Sequence, residues 1–244
     1  IFIGKILNRI QLFKYIQLFK YLLFVWLTCL PIFGIYSQLP WDIDAGIDFN
    51  SQEPLFVSLG SFCGPASTIM SAGKRSAAFP LDWCLSVDGE KVIQTFEEDF
   101  LHFFDLRYLI RSGMNGNLLN TYYHLEFPHE GDWSSNYFNQ SYNDFVTKYS
   151  RRIARFRKLN LYKGTVVFIR SAWSLSMHYA FPNSANLIIS REYAVRLYDA
   201  LKGFFPNLNL KLVILNEPND NFPESITFDN ITLVYSNTYQ LLIE

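Results

Sequence analysis

Cys63 stands in residues 57–66, VSLGSFCGPA, where an apolar run gives way to small residues and then to a helix start. A helix N-terminus presents unpaired N–H groups and a partial positive charge. Both favour a thiolate, the nucleophilic form of cysteine. The same N–H groups could hold an oxyanion during acyl transfer. Ser61 and Gly64 flank Cys63 and are expected to contact a substrate. Two plain readings compete: a buried cysteine packing as a small hydrophobe, or a disulfide with Cys84.

A base and an orienting group must come from elsewhere in the chain. Asp82 lies in residues 78–86, AFPLDWCLS, a carboxylate among apolar neighbours. It must be paired or hydrogen-bonded there, and could orient a catalytic histidine or brace the loop. Residues 124–133, HLEFPHEGDW, gather His124, His129, Glu126, Glu130 and Asp132 around Pro128 and Gly131, and read as a loop. His129 is the candidate base for Cys63. The spacing lacks the H-E-x-x-H pattern that puts two histidines on one helix face, so no metal is expected. His102 and His178 are assigned no role. Arg170 closes a buried strand and could bind a substrate carboxylate or phosphate, or pair with Asp82 or Glu130. The cations Arg151, Arg152, Arg155, Arg157 and Lys158 read mainly as one solvated helix face.

Some chemistries lose support. The chain has no G-x-G-x-x-G, Walker loop, G-x-S-x-G elbow or C-x-x-C, so no cofactor is expected. A formal net charge of −1 offers no field for nucleic acid.

The elements that would position these residues alternate between strand and helix. Apolar runs at 55–59, 165–169, 210–215 and 231–235 read as buried strands, the first three in the sheet interior. Residues 64–72 predict a short helix with Pro65 in its first turn and Gly73 after its end. Ser86 is the expected cap of a helix reaching Phe104, with Val92, Phe96 and Phe100 as its apolar stripe. A helix over 142–160 buries Phe145, Tyr149, Ile153 and Phe156. Another, capped by Ser190, reaches Phe205 and buries Tyr193, Leu197 and Leu201. The expected fold is α/β: a mostly parallel, doubly wound (Rossmann-like) sheet with helices on both faces. Ligands bind beyond the carboxyl ends of such strands, which directs attention to residues after Leu59 and Ile169.

The N-terminus differs from the rest. Lys5, Arg9, Lys14 and Lys20 are its only charges before Asp42, and residues 22–36 form an uncharged apolar run. This is the pattern of a secretory signal or a membrane anchor. Residues 1–37 are therefore expected to export or tether the protein, residues 38–54 to link, and residues 55–244 to form a single α/β domain. The hexapeptide IQLFKY occurs twice, at 10–15 and 16–21, and has no assigned role. The chain opens on Ile1 with its first methionine at Met70, so an incomplete start or an unusual start codon is expected.

SLGSFC with the following Gly-Pro-Ala, FPLDW, the F-P-H of FPHEGDW, YSRRIARF and VVFIR resemble, in order, a family of papain-like cysteine peptidases. They span most of residues 57–170. The resemblance implies Cys63 as nucleophile, His129 as partner and Asp82 as support. This chain reads FPHE where family members more often read FPHD, and it carries a leader, so the third group of a triad stays open. The strand–helix alternation points to a doubly wound sheet rather than a papain fold. A weaker similarity is to SGNH-class esterases and acyltransferases acting on glycan acyl groups, with Ser61 as nucleophile. That class usually has a late D-x-x-H, and no histidine follows His178 here. A third reading is a non-catalytic glycan- or peptide-binding domain. The expected function is hydrolysis or transfer at an acyl or amide bond, the partner being a peptide or acylated small substrate.

Overall fold

A computed structural model of the chain describes residues 47–86, 88–111, 116–131, 133–134, 138–172, 190–216 and 223–235. These fall within Asp44–Glu244, one of two units into which the chain divides. The leader and His178 lie outside the described residues. Among the described residues no helix is long and apolar enough to cross a membrane.

The main sheet contains β1 (Leu55–Ser58), β5 (Thr165–Ser171), β6 (Asn209–Asn216), β8 (Ile231–Tyr235) and β7 (Ser225–Phe228), in that spatial order. The pairs β1–β5, β5–β6 and β6–β8 are parallel, and β7 is antiparallel to β8. The fold is thus α/β with a mostly parallel sheet. β5 and β6 are interior as expected. β1 is an edge strand among the described ones, a correction to the expectation, and the order runs from it in one direction.

Strand periodicity divides the apolar residues between two faces. Val57, Val166, Phe168, Leu212, Ile214 and Leu233 join the larger core. Ile169, Leu215 and Val234 pack with Ile69 on the other face. Ile69 belongs to α1 (Gly64–Ser71), which ends as the sequence predicts. Gly73 has φ 68°, and the N–H groups of Gly73 and Lys74 return to the carbonyls of Met70 and Ile69. That is a Schellman closure, which needs the left-handed conformation glycine adopts readily.

The larger core is covered by α2 (Gly89–Glu97), α3 (Phe138–Lys158) and α4 (Arg191–Phe204). Phe145, Tyr149, Ile153 and Phe156 of α3 are buried as expected. So are Tyr193, Leu197 and Leu201 of α4, whose cap Ser190 accepts the N–H of Tyr193. The expectation for α2 needs correcting at both ends. Its cap is Asp88, which accepts the N–H groups of Glu90 and Lys91, whereas Ser86 is tied to the Ser61 turn. It stops at Glu97 because Asp99 and Phe100 take positive φ. This turns the Phe100 ring into a cluster with Phe96, Phe103, Phe156 and Phe204.

A second sheet, β2 (Leu109–Arg111), β3 (Leu118–Asn120) and β4 (Leu125–Phe127), is antiparallel. It too corrects the sequence reading, which made residues 124–133 wholly loop. Leu85 and Glu126 exchange two backbone hydrogen bonds, joining the FPLDW segment to β4. Arg155 leaves the expected solvated face. It is buried, and its Nη1 donates to the Ala78 carbonyl at 2.5 Å.

Candidate active site

β1 ends at the carboxyl edge of the sheet, and a tight turn carries the chain to Cys63. Ser58 Oγ accepts the Gly60 N–H at 3.2 Å. Gly60 and Ser61 then take φ of 73° and 76°. Glycine is required at 60: a Cβ there would lie 2.7 Å from Ser86 Oγ and 2.8 Å from the Leu81 carbonyl oxygen. Positive φ at Ser61 is strained for a residue with a Cβ, and such strain persists only where surrounding contacts hold it. Those contacts come from Ser86. Its Oγ accepts the Ser61 N–H at 2.9 Å, and its N–H donates to the Ser61 carbonyl at 3.1 Å.

Cys63 occupies the N-cap position of α1, half-buried, and its side chain makes no capping hydrogen bond. Pro65 removes one donor from this terminus. Among the described residues no acceptor takes the N–H of Gly64 or Ala66. Gly64 also lacks the Cβ that would collide with the Phe62 ring.

Cys63 and Cys84 do not form a disulfide. Cys84 is fully buried, its Sγ donates to the Leu81 carbonyl at 3.5 Å, and burial pushes its thiol up to about 12.

Asp82 is buried inside the FPLDW turn. Its Oδ2 accepts from Arg75 Nη2 at 2.6 Å and from the Phe79 N–H at 2.9 Å. The carboxylate therefore braces this loop. Its link to a histidine is indirect. Arg75 lies over the Trp83 ring at 5.0 Å, and Trp83 meets the His129 ring edge-on at 6.3 Å. His129 follows β4 as an exposed residue whose ring packs on one side against Trp83. The protein packed around it disfavours the charged ring and lowers its pKa below the usual 6.5; Glu130 opposes this shift and Lys148 adds to it. A neutral imidazole is the form that can accept a proton.

Glu130 does not reach Arg170. It is buried and held by Lys148 Nζ at 2.8 Å and the Tyr149 hydroxyl at 3.1 Å. Arg170 itself is 2% exposed. Its Nη1 donates to the Leu59 carbonyl at 2.9 Å and Ser86 Oγ at 3.1 Å, and its Nη2 to the Ser86 carbonyl at 2.5 Å. The expected pairing with Asp82 or Glu130 is thus replaced by bonds to the loop ends that frame the turn.

Sequence reasoning passed over one pair. His124 Nδ1 lies 2.8 Å from Asp88 Oδ2, while Asp88 Oδ1 caps α2. The signal was the Asp-Gly-Glu-Lys run at 88–91, a cap followed by a helix former. Among the described residues no group of three or more His, Cys, Asp or Glu side chains could hold a metal ion.

These features define an α/β protein with a mostly parallel sheet and a cysteine at the head of the helix following its first described strand. Residues 54–200 match the family described as "Putative papain-like cysteine peptidase (DUF1796)", and the chain belongs to that family. It is 26% identical over 197 residues to "Uncharacterized protein R408" of Acanthamoeba polyphaga mimivirus, covering 70% of this chain and 82% of that protein. No solved structure matches.

Proposed function

We propose that this chain is a cysteine-dependent hydrolase of acyl or amide bonds, with Cys63 as nucleophile and His129 as its base. The observation that carries the reading is the setting of Cys63: half-buried, outside any bond to Cys84, and delivered by a strained turn to the N-terminus of α1. The Cys63 sulfur attacks the substrate carbonyl carbon while His129 takes the thiol proton. The N–H groups of Gly64 and Ala66 stabilise the oxyanion. Collapse expels the amine or alcohol, which takes the proton from His129, and leaves a thioester on Cys63. Water, deprotonated by the same ring, then cleaves the thioester, and the departing Cys63 sulfur takes that proton back from His129. Asp82 supports the base at one remove, by holding Arg75 against Trp83 and so fixing the wall that His129 touches. Ser61 lines the approach through its backbone. It is only 2% exposed, which does not favour the esterase reading with Ser61 as nucleophile.

The test is turnover of a mixed peptide library and of a p-nitrophenyl ester. Cys63→Ser should abolish hydrolysis in a protein that still melts cooperatively. His129→Ala should lower kcat/KM by at least about 100-fold, the usual contribution of a general base. Full activity in Cys63→Ser would end the proposal.

We also propose a doubly wound sheet for the complete domain, and export or membrane tethering through residues 1–37. Support for the leader comes from its positive charges and following apolar run. Fractionation of cells expressing the full chain, with N-terminal sequencing of the product, tests it. Recovery of the intact chain solely from the cytosol would refute export.

A further inference from the structure

We infer that Arg170 is a positioning residue for Cys63: it clamps the Gly60–Ser61 turn through Ser86 and supplies an unneutralised positive charge that favours the Cys63 thiolate. The inference rests on the proposed role of Cys63 and names what prepares it. The sequence offers Arg170 to a substrate anion or to Asp82 or Glu130, but a guanidinium that is 2% exposed and bonded to Leu59 and Ser86 is turned inward.

The clamp is direct. Ser86 Oγ accepts from both Arg170 Nη1 and the Ser61 N–H, so one hydroxyl joins the end of β5 to the strained residue of the turn. The second contact of Nη1, to the Leu59 carbonyl, holds the last residue before Gly60. Both ends of the turn that delivers Cys63 therefore hang on one side chain.

The charge argument is separate. The oxygens that accept from the Arg170 guanidinium, those of Leu59 and Ser86, are uncharged, and Nε has no acceptor among the described residues. Among the described residues no carboxylate pairs with Arg170, and the two acids offered by the sequence pair elsewhere, Asp82 with Arg75 and Glu130 with Lys148. A buried, uncompensated cation is costly to keep, and its field is poorly screened in the low-dielectric interior. Titratable groups that feel it include Cys84 of the loop and Tyr193 of α4, the latter also facing Asp88 and Glu90 at the head of α2. At Cys84 burial dominates and Arg170 only opposes it. Cys63 lies two residues beyond Ser61, whose N–H shares Ser86 Oγ with Arg170, and it is half-buried, so it escapes the full desolvation that Cys84 meets.

The experiment follows carboxamidomethylation of Cys63 in the full chain from pH 5 to 9.5, by mass spectrometry of the Cys63 peptide. Wild type, Arg170→Met, Arg170→Lys and Ser86→Ala are compared. The wild-type midpoint should lie below the ordinary thiol value of about 8.5. Arg170→Met should raise it by about one pKa unit, a tenfold loss of labelling rate near pH 6.5. Arg170→Lys should recover most of that shift, and Ser86→Ala, which keeps the charge but frees the Ser61 N–H, should slow labelling at every pH while moving the midpoint less than Arg170→Met does. If Arg170→Met fails to fold, Arg170→Gln, which can still donate to these oxygens, serves as the neutral variant. A wild-type midpoint at or above about 8.5 overturns the inference, as does an unmoved midpoint in the neutral variant. A low, Arg170-dependent midpoint in a protein that hydrolyses nothing supports this inference and removes the hydrolase reading. Cys63-dependent turnover with an unmoved midpoint does the opposite.

Discussion

At the residue scale, two cysteines on either side of α1 and the FPLDW loop meet opposite physical fates. Cys84 has lost its water and its thiol is pushed up to about 12, so it is a packing residue. Cys63 keeps access to solvent and sits where a helix offers unpaired donors. Iodoacetamide at pH 8 should therefore label Cys63 in the native protein, and label Cys84 only after denaturation. Equal native labelling would contradict the burial argument. His129 adds a pH dependence with a definite sign. Its folded pKa is lowered below 6.5, so the unfolded chain binds more protons in that window. Its contribution to stability is complete above pH 6.5 and is lost as pH falls through that value toward the folded pKa. The thermal midpoint of wild type should drop more steeply between pH 6.5 and 5 than that of His129→Gln.

At the element scale, the turns carry the most specific demands. Gly60 and Gly73 both have positive φ, but only Gly60 is crowded. Gly73→Ala should cost about 1 kcal/mol, the strain of a left-handed L-residue. Gly60→Ala adds a collision with Ser86 Oγ and the Leu81 carbonyl. It should cost more and slow Cys63 labelling as well, because the Ser61–Ser86 bonds must shift. Urea melts of the two variants with the labelling assay test that ranking. Glu98 gives a second element-scale prediction. Desolvation raises its pKa, yet hydrogen bonds from Gln94, Tyr123 and Tyr122 outweigh this and leave it below 4.5. The stability this carboxylate contributes is present above pH 4.5 and disappears as pH falls through its folded pKa. Glu98→Gln should flatten the acid limb of the stability–pH curve.

At the scale of the whole molecule, much of the aromatic content is accounted for by one continuous core. Phe156 touches Phe79, Phe96, Phe168 and Phe205, tying the FPLDW loop, α2, β5 and the end of α4 together. Phe103, Phe127, Phe145 and Tyr149 extend it toward the second sheet. Phe168→Ala should destabilise by about 3–5 kcal/mol, the usual cost of emptying a packed phenylalanine site. Val167→Ala, on the thinner and partly exposed face, should cost distinctly less. Comparable losses at the two positions in chemical denaturation would mean that the faces are packed alike.

Periodicity along the chain determined the α/β class, the strands read at 165–169 and 210–215 and found at Thr165–Ser171 and Asn209–Asn216, the helix of Phe145 to Phe156 and the Ser190 cap. These rest on local signals of period two or 3.6 and on cap chemistry, which a single segment carries by itself. The same was true of Cys63 at a strand-to-helix turn. The partners of each polar group were not legible in this way. Ser86 looked like a cap and is a clamp, because Ser61 and Arg170, distant in sequence, both donate to its oxygen. Asp82 could face a histidine or an arginine, and the turn placed Arg75 within 2.6 Å. Three-residue strands such as Leu125–Phe127 are too short to show a period, and pairing with a neighbouring strand is what creates them. A side chain's neighbours depend on how distant segments dock, and only the tertiary structure supplies that information.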